Sequence, residues 1–317
     1  MAVVNLLANV VHPAATSLTE VQNFALTERE HDTTYSYKLF TGNGSGSTDP
    51  DVASTVWISS AHDILFDHCV FDTCTAVGTS GDYDGLLIGN GLRLYESGAG
   101  GVRHVYNITF QDCLVKSQPR MGIEVNGRGT TVCYQSIDFI RTTVQPCRSE
   151  CFSMDDTSSD DAYCEIIDMT LGGAGYAFPG GYAYEWNHAF EINHTNKVLV
   201  NNLRTYSNFK TGLNLTGRDA FAMEWALSGI DVRQNEQYVD DDFPDGSGIV
   251  AGEDAHGLMM SGVVGTALTW EDVSIAGDNA WAISWLAGCS SVDLSDTTWS
   301  GDNNTTHGED ACTGITY

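Results

Sequence analysis

The chain has 317 residues, with 42 acidic against 14 basic side chains and a formal net charge of −28 at pH 7. That balance excludes a nucleic-acid binder, which needs basic surface to displace phosphate counterions. Its hydrophobic content of 42% excludes a disordered acidic chain, and there is no 18-residue apolar run to cross a membrane as a helix.

At the amino terminus, Val3, Leu6, Leu7, Val10 and Val11 recur at helical spacing. The segment reads as a short amphipathic helix that caps a solenoid end or anchors the chain to another protein. Two asparagines within it, and no basic residue before Arg29, argue against a signal peptide. Residues 1–54 are assigned to this cap or anchor, 55–300 to a repeat region and 301–317 to a C-terminal cap.

A five-residue pattern then recurs: small, apolar, any, apolar, polar or turn-forming. It reads GLLIG at 85–89, GIEVN at 122–126, CFSMD at 151–155, AFEIN at 189–193, GLNLT at 212–216, GIVAG at 248–252, GLMMS at 257–261 and AISWL at 282–286. Each copy alternates with the two-residue period of a strand. A second strand signal precedes most copies: ILF (64–66), ITF (108–110), IDF (137–139), IIDM (166–169), VLVNNL (198–203), GIDV (229–232), VSI (273–275) and VDL (292–294). Ile108, Ile137 and Ile166 are spaced 29 and 29 apart. Imperfect strand repeats separated by Gly, Asn and Asp predict an all-β parallel solenoid. A β-sandwich also yields many short strands, but it does not require two registers to repeat together.

In stacked copies, positions two and four form the interior and position three points outward. The four central copies then present a polar grid: Glu124 and Asn126, Ser153 and Asp155, Glu191 and Asn193, Asn214 and Thr216. Glu124 and Glu191 fall two coils apart, about 9–10 Å between backbones. That spacing suits an acid and a base acting on opposite faces of a glycosidic bond. Asp155, with Asp156 beside it, would raise a neighbouring carboxyl by like-charge repulsion. Arg128 and Arg218 follow equivalent strands and suit acidic sugar groups. The insertion at 171–188 carries Tyr184 and Trp186 as aromatic sugar platforms. Glu124, Asp155 and Glu191 are therefore the catalytic candidates if the chain is an enzyme. The ligand-binding candidates are Asn126, Arg128, Ser153, Asp156, Asn193, Asn214, Arg218, Tyr184 and Trp186.

No cofactor is implied. Asp240, Asp241, Asp242 and Asp245 offer oxygen ligands for calcium without the spacing of a known loop. Nine cysteines leave at least one outside any intrachain disulfide, and no CxxC occurs to make a zinc ribbon. Cys147, Cys151 and Cys164 fall close together, as do Cys69, Cys74 and Cys113.

The coil pattern, its asparagine-rich turns and the amphipathic amino-terminal segment resemble the right-handed parallel β-helix, or pectin-lyase-like, superfamily over about residues 55–300. Its pectate lyases, polygalacturonases and viral tailspikes bind or cleave polysaccharides along the outer face of one sheet. EDAHG at 253–257 loosely resembles the turn histidine of the polygalacturonases, but their companion aspartate motifs are missing. An evenly acidic chain with only four lysines resembles proteins of extreme halophiles, where salt screens self-repulsion. Together these resemblances imply a surface protein of a haloarchaeal tailed virus, a spike or turret. They further imply binding to host glycans, docking on other virion proteins through the amino-terminal segment, and homo-oligomerisation. A polysaccharide-degrading enzyme of a halophile or its virus is the other reading.

Overall fold

The computed structural model describes residues 17–26, 29–42, 54–58, 60–74, 90–95, 105–118, 121–126, 135–147, 150–155, 163–172, 188–208, 211–217, 223–235, 256–276, 281–300, 306–307 and 312–316. Among these there is no α-helix; the segment expected to form the amino-terminal helix lies outside them. Among the described residues, twenty-five strands stack in parallel as a β-helix, in a fifteen-stranded and a ten-stranded sheet.

Each full coil visits three ladders. The first, the ten-stranded sheet, runs β2 (Phe24–Leu26), β5 (Ser54–Ile58), β8 (Asn90–Tyr95), β11 (Ile123–Asn126), β14 (Phe152–Asp155) and β17 (His188–Asn193). It continues through β19 (Thr211–Thr216), β21 (His256–Ser261), β23 (Trp281–Ala287) and β25 (Thr306–His307). The second ladder contains β3 (Glu30–Ser36), β6 (Ala61–Asp67), β9 (Val105–Gln111), β12 (Gln135–Ile140) and β15 (Cys164–Ile167). The third contains β1 (Thr19–Gln22), β4 (Lys38–Gly42), β7 (Val70–Cys74), β10 (Leu114–Gln118), β13 (Thr143–Cys147) and β16 (Thr170–Gly172). The long strands β18 (Lys197–Asn208), β20 (Glu224–Asn235) and β22 (Leu268–Ala276) run through both ladders, and β24 (Thr297–Ser300) follows β22.

The bend between the second and third ladders is made by one residue per coil in the left-handed region. Tyr37, His68, Asp112, Arg141, Asp168, Asn202, Gly229 and Asp272 all have φ between 51° and 63°. Asn and Asp tolerate that conformation because their short side chains bond locally; Tyr and Arg do so less readily. Cross-coil contacts support the column. The Arg141 guanidinium grips both oxygens of Asp112 at 2.6 and 2.7 Å. Asn202 donates to Asp168, and the Tyr37 ring stacks on His68 at 5.0 Å.

The interior is a column of rings and aliphatic chains. Phe66, Phe110 and Phe139 stack at 4.8 and 5.1 Å with nearly parallel planes, and Phe152 stacks on Phe190 at 5.1 Å. These spacings match the coil repeat. Apolar burial in register therefore fixes the stacking, because a one-residue slip would turn every such ring to solvent.

The structure revises three details of the expected organisation. Among the described residues, coil pairing is already present from Thr19, within the span assigned to the cap, since β1 to β4 pair into the ladders. The second strand signal merges two ladders: ILF, ITF and IDF belong to the second, whereas Ile230 and Val273 pair after the bend in the third. The equal spacing of three isoleucines also breaks, because Ile137 pairs with Ile108 while Ile166 pairs with Phe139.

Candidate functional site

The ten-stranded sheet sets the candidate residues in one column. Register neighbours run Ala25, Trp57, Arg93, Glu124, Ser153, Glu191, Asn214, Met259, Ser284 and His307. Alternation sends Ile123/Val125, Phe152/Met154, Phe190/Ile192 and Leu213/Leu215 to the core, where all eight are fully buried. The intervening residues take the outer face. A second column holds Asn126, Asp155, Asn193 and Thr216 in register.

Glu191 is the centre of the first column. Ser153 donates its hydroxyl to Oε2 at 3.0 Å from one neighbouring coil, and Asn214 donates its amide to Oε1 at 2.8 Å from the other. Although they lie on the outer face, Glu124, Ser153 and Asn214 are only 5%, 3% and 8% exposed. Desolvation raises the Glu191 carboxyl above its ordinary value, the two hydrogen bonds pull it back, and the Glu124 charge adds to the rise. The like charge that acts on Glu191 is that of Glu124, two coils away. Between two hydrogen-bond donors, a carboxyl so placed can accept from a ligand when ionised or donate to it when protonated.

Among the described residues, Asn193 Oδ1 and Trp57 Nε1 on this face are buried polar atoms with no hydrogen-bond partner within the chain. Buried polar groups are normally paired, so such atoms call for an explanation, and a ligand is one. Of the remaining predicted residues, Asn126 is placed by its strand register. Arg128, Asp156, Arg218, Tyr184 and Trp186 lie outside the described residues, as does the aspartate run at 240–245.

The near edge of the grid differs from the pattern's expectation. The five-residue pattern puts GLLIG, with Leu87 outward, as the rung before Glu124. The rung is instead β8, whose Arg93 is the register neighbour of Glu124. β19 pairs directly with β21, so the rung after Asn214 is Met259; GIVAG at 248–252 lies outside the described residues. His256 begins a strand in register with Thr211, not a turn. Arg93 and Trp57 were missed, yet GLRLY at 91–95 and TVWIS at 55–59 carry the same five-residue signature.

Among the described residues, Asp67, His68 and Asp112 at the bend are a further group with ligand atoms within 4.8 Å of one another. Arg141 already occupies Asp112, and Asp67 holds His68 Nδ1 at 2.8 Å. Its carboxylates are thus engaged within the chain, and the group lies on a different ladder from Glu191.

No protein-family model matches the chain, and no curated protein matches it. Among solved structures it is similar to the full-length tailspike protein 2 from Escherichia coli O157:H7 bacteriophage CAB120. The TM-score is 0.53 at 12% identity, over 95% of this chain and 43% of that one. At this identity the likeness shows a shared fold, and the chain spans less than half the length of that tailspike.

Proposed function

We propose that this chain is a virion surface protein, a tail spike or capsid turret, that recognises host-cell glycans on the outer face of its ten-stranded sheet. The observation that carries the reading is the Glu124, Ser153, Glu191 and Asn214 column. It is a run of hydrogen-bonding groups at coil spacing on the outer face of a fold that a phage tailspike shares. Sugars offer hydroxyl groups at comparable intervals, and carboxylates and amides are their natural partners. We place the fold in the pectin-lyase-like superfamily and the source in a haloarchaeal tailed virus; the support for the latter is the acidic, lysine-poor composition. In this reading the amino-terminal segment docks on other virion proteins, and the working form is a homo-oligomer.

A second reading, glycan cleavage, is favoured by one observation. Glu191 has a raised carboxyl two coils from a second carboxylate, the disposition of an acid and base pair. Asp155, in the adjacent column, would complete the group. Incubation with envelope polysaccharide at molar salt, scored for new reducing ends or unsaturated uronates, separates the readings. Recognition alone predicts binding without product. Cleavage predicts product that Glu124→Gln and Glu191→Gln both abolish.

A further inference from the structure

Cys289 and Cys312 occupy equivalent positions in successive coils at the carboxyl end of the solenoid. Each immediately precedes a residue of one parallel bridge, Ser290 with Thr313, and the Thr313 amide donates to Cys289 O at 3.1 Å. In-register neighbours of parallel strands lie about 4.8 Å apart, inside the Cα separation of about 4.4–6.8 Å that a disulfide spans. The Cys312 sulfur reaches across the coil step: the Cys289 amide donates to Cys312 Sγ at 3.3 Å. Both are thiols in this structure. Their surroundings differ, since Cys289 is 1% exposed and Cys312 is partly exposed.

We propose that Cys289 and Cys312 form an oxidisable cross-coil link that fastens the last described coil to the solenoid body. The solvent-reachable thiol starts the exchange and the buried one resolves it. Cys312, as thiolate, attacks one sulfur of a small-molecule disulfide such as oxidised glutathione. A mixed disulfide forms and one glutathione leaves. Cys289 then gives up its proton and its sulfur attacks Cys312 Sγ, forming the protein disulfide and expelling the second glutathione. Two protein thiols are oxidised and one glutathione disulfide is reduced to two thiols, which take up both protons. The order follows from access, and burial reinforces it by pushing the Cys289 thiol up to about 11.

The link matters because of where it lies. β25 is the last described rung of the ten-stranded sheet, and the link would tie the segment that follows it, residues 312–316, to the coil before. The inference stands apart from the glycan reading, since neither cysteine belongs to the Glu191 column.

The test is to expose the full chain to oxidised glutathione, quench it by alkylation in denaturant, and map the linkages by mass spectrometry. The expected result is a Cys289–Cys312 cross-link that dithiothreitol reverses. With it, proteolysis beyond residue 288 slows by about tenfold or more, as loop closure by a disulfide implies. Cys289→Ser should instead accumulate glutathione on Cys312, and Cys312→Ser should make proteolysis indifferent to oxidant. A wild-type chain in which Cys312 stays alkylated, retains glutathione, or links to another cysteine overturns the proposal.

Discussion

The Ser153 hydroxyl reaches across one coil step to donate to Glu191 Oε2 at 3.0 Å. This bond supports the ionised form of a carboxyl that burial disfavours. Its loss should therefore raise the Glu191 titration further, whereas Glu124→Gln should lower it by removing the like charge. Carboxyl NMR titration of Ser153→Ala and Glu124→Gln checks both directions. Equal shifts of one sign would contradict the assignment.

Glu191 also links folding to pH. Its folded carboxyl titrates above the ordinary value of 4.5, so the folded state holds the proton more tightly than the unfolded chain. The associated stability is complete below 4.5 and is lost as pH rises through the folded value. Glu191→Gln should flatten that part of the stability profile, as measured by urea unfolding across the acid range at fixed salt.

Asp138 gives a second pH window with a defined upper edge. Burial raises its carboxyl to about 6, although it accepts a hydrogen bond from the Glu165 amide at 3.1 Å. Stability should fall as pH rises from about 4 to about 6, because the folded state binds the proton more tightly there. Asp138→Asn should stabilise the protein at pH 7 and leave it nearly unchanged at pH 4. Thermal midpoints at the two pH values test this.

The bend column predicts a modest electrostatic effect. Arg141 is about half exposed and Asp112 a quarter, so the bidentate pair should contribute about 0.5–1 kcal/mol. A double-mutant cycle with Arg141→Ala and Asp112→Asn should return that coupling. Arg141→Lys should not restore it, because an ammonium lacks the planar fork.

The ring column predicts a much larger one. Phe110 lies between Phe66 and Phe139 and is fully buried. Phe110→Ala should cost about 3–5 kcal/mol by cavity formation and loss of both stacking contacts. Chemical denaturation measures this directly.

Much of the fold was legible because in-and-out alternation survives every change of coil length. The copies from GIEVN to GLNLT fall into register as read, and they bring Glu124, Ser153, Glu191 and Asn214 into one column. The near edge was misread because GLLIG and GLRLY fit the pattern equally well, and only pairing with Glu124 selects Arg93. The third ladder was hidden for a different reason. A single left-handed residue separates it from the second, and at His68, Arg141 and Tyr37 that residue carries no turn signature. In VLVNNLRTYSN the bend at Asn202 lies inside one unbroken strand.

The most direct test of the account is glycan binding by the wild-type chain and by a Ser153→Ala/Asn214→Ala double variant. An array of acidic and neutral envelope oligosaccharides at molar salt would serve, with folding of the variant verified by circular dichroism. The account predicts that the wild type retains a defined subset of glycans and that the folded double variant loses them. Equal retention by both proteins, or no retention by the wild type, would contradict it.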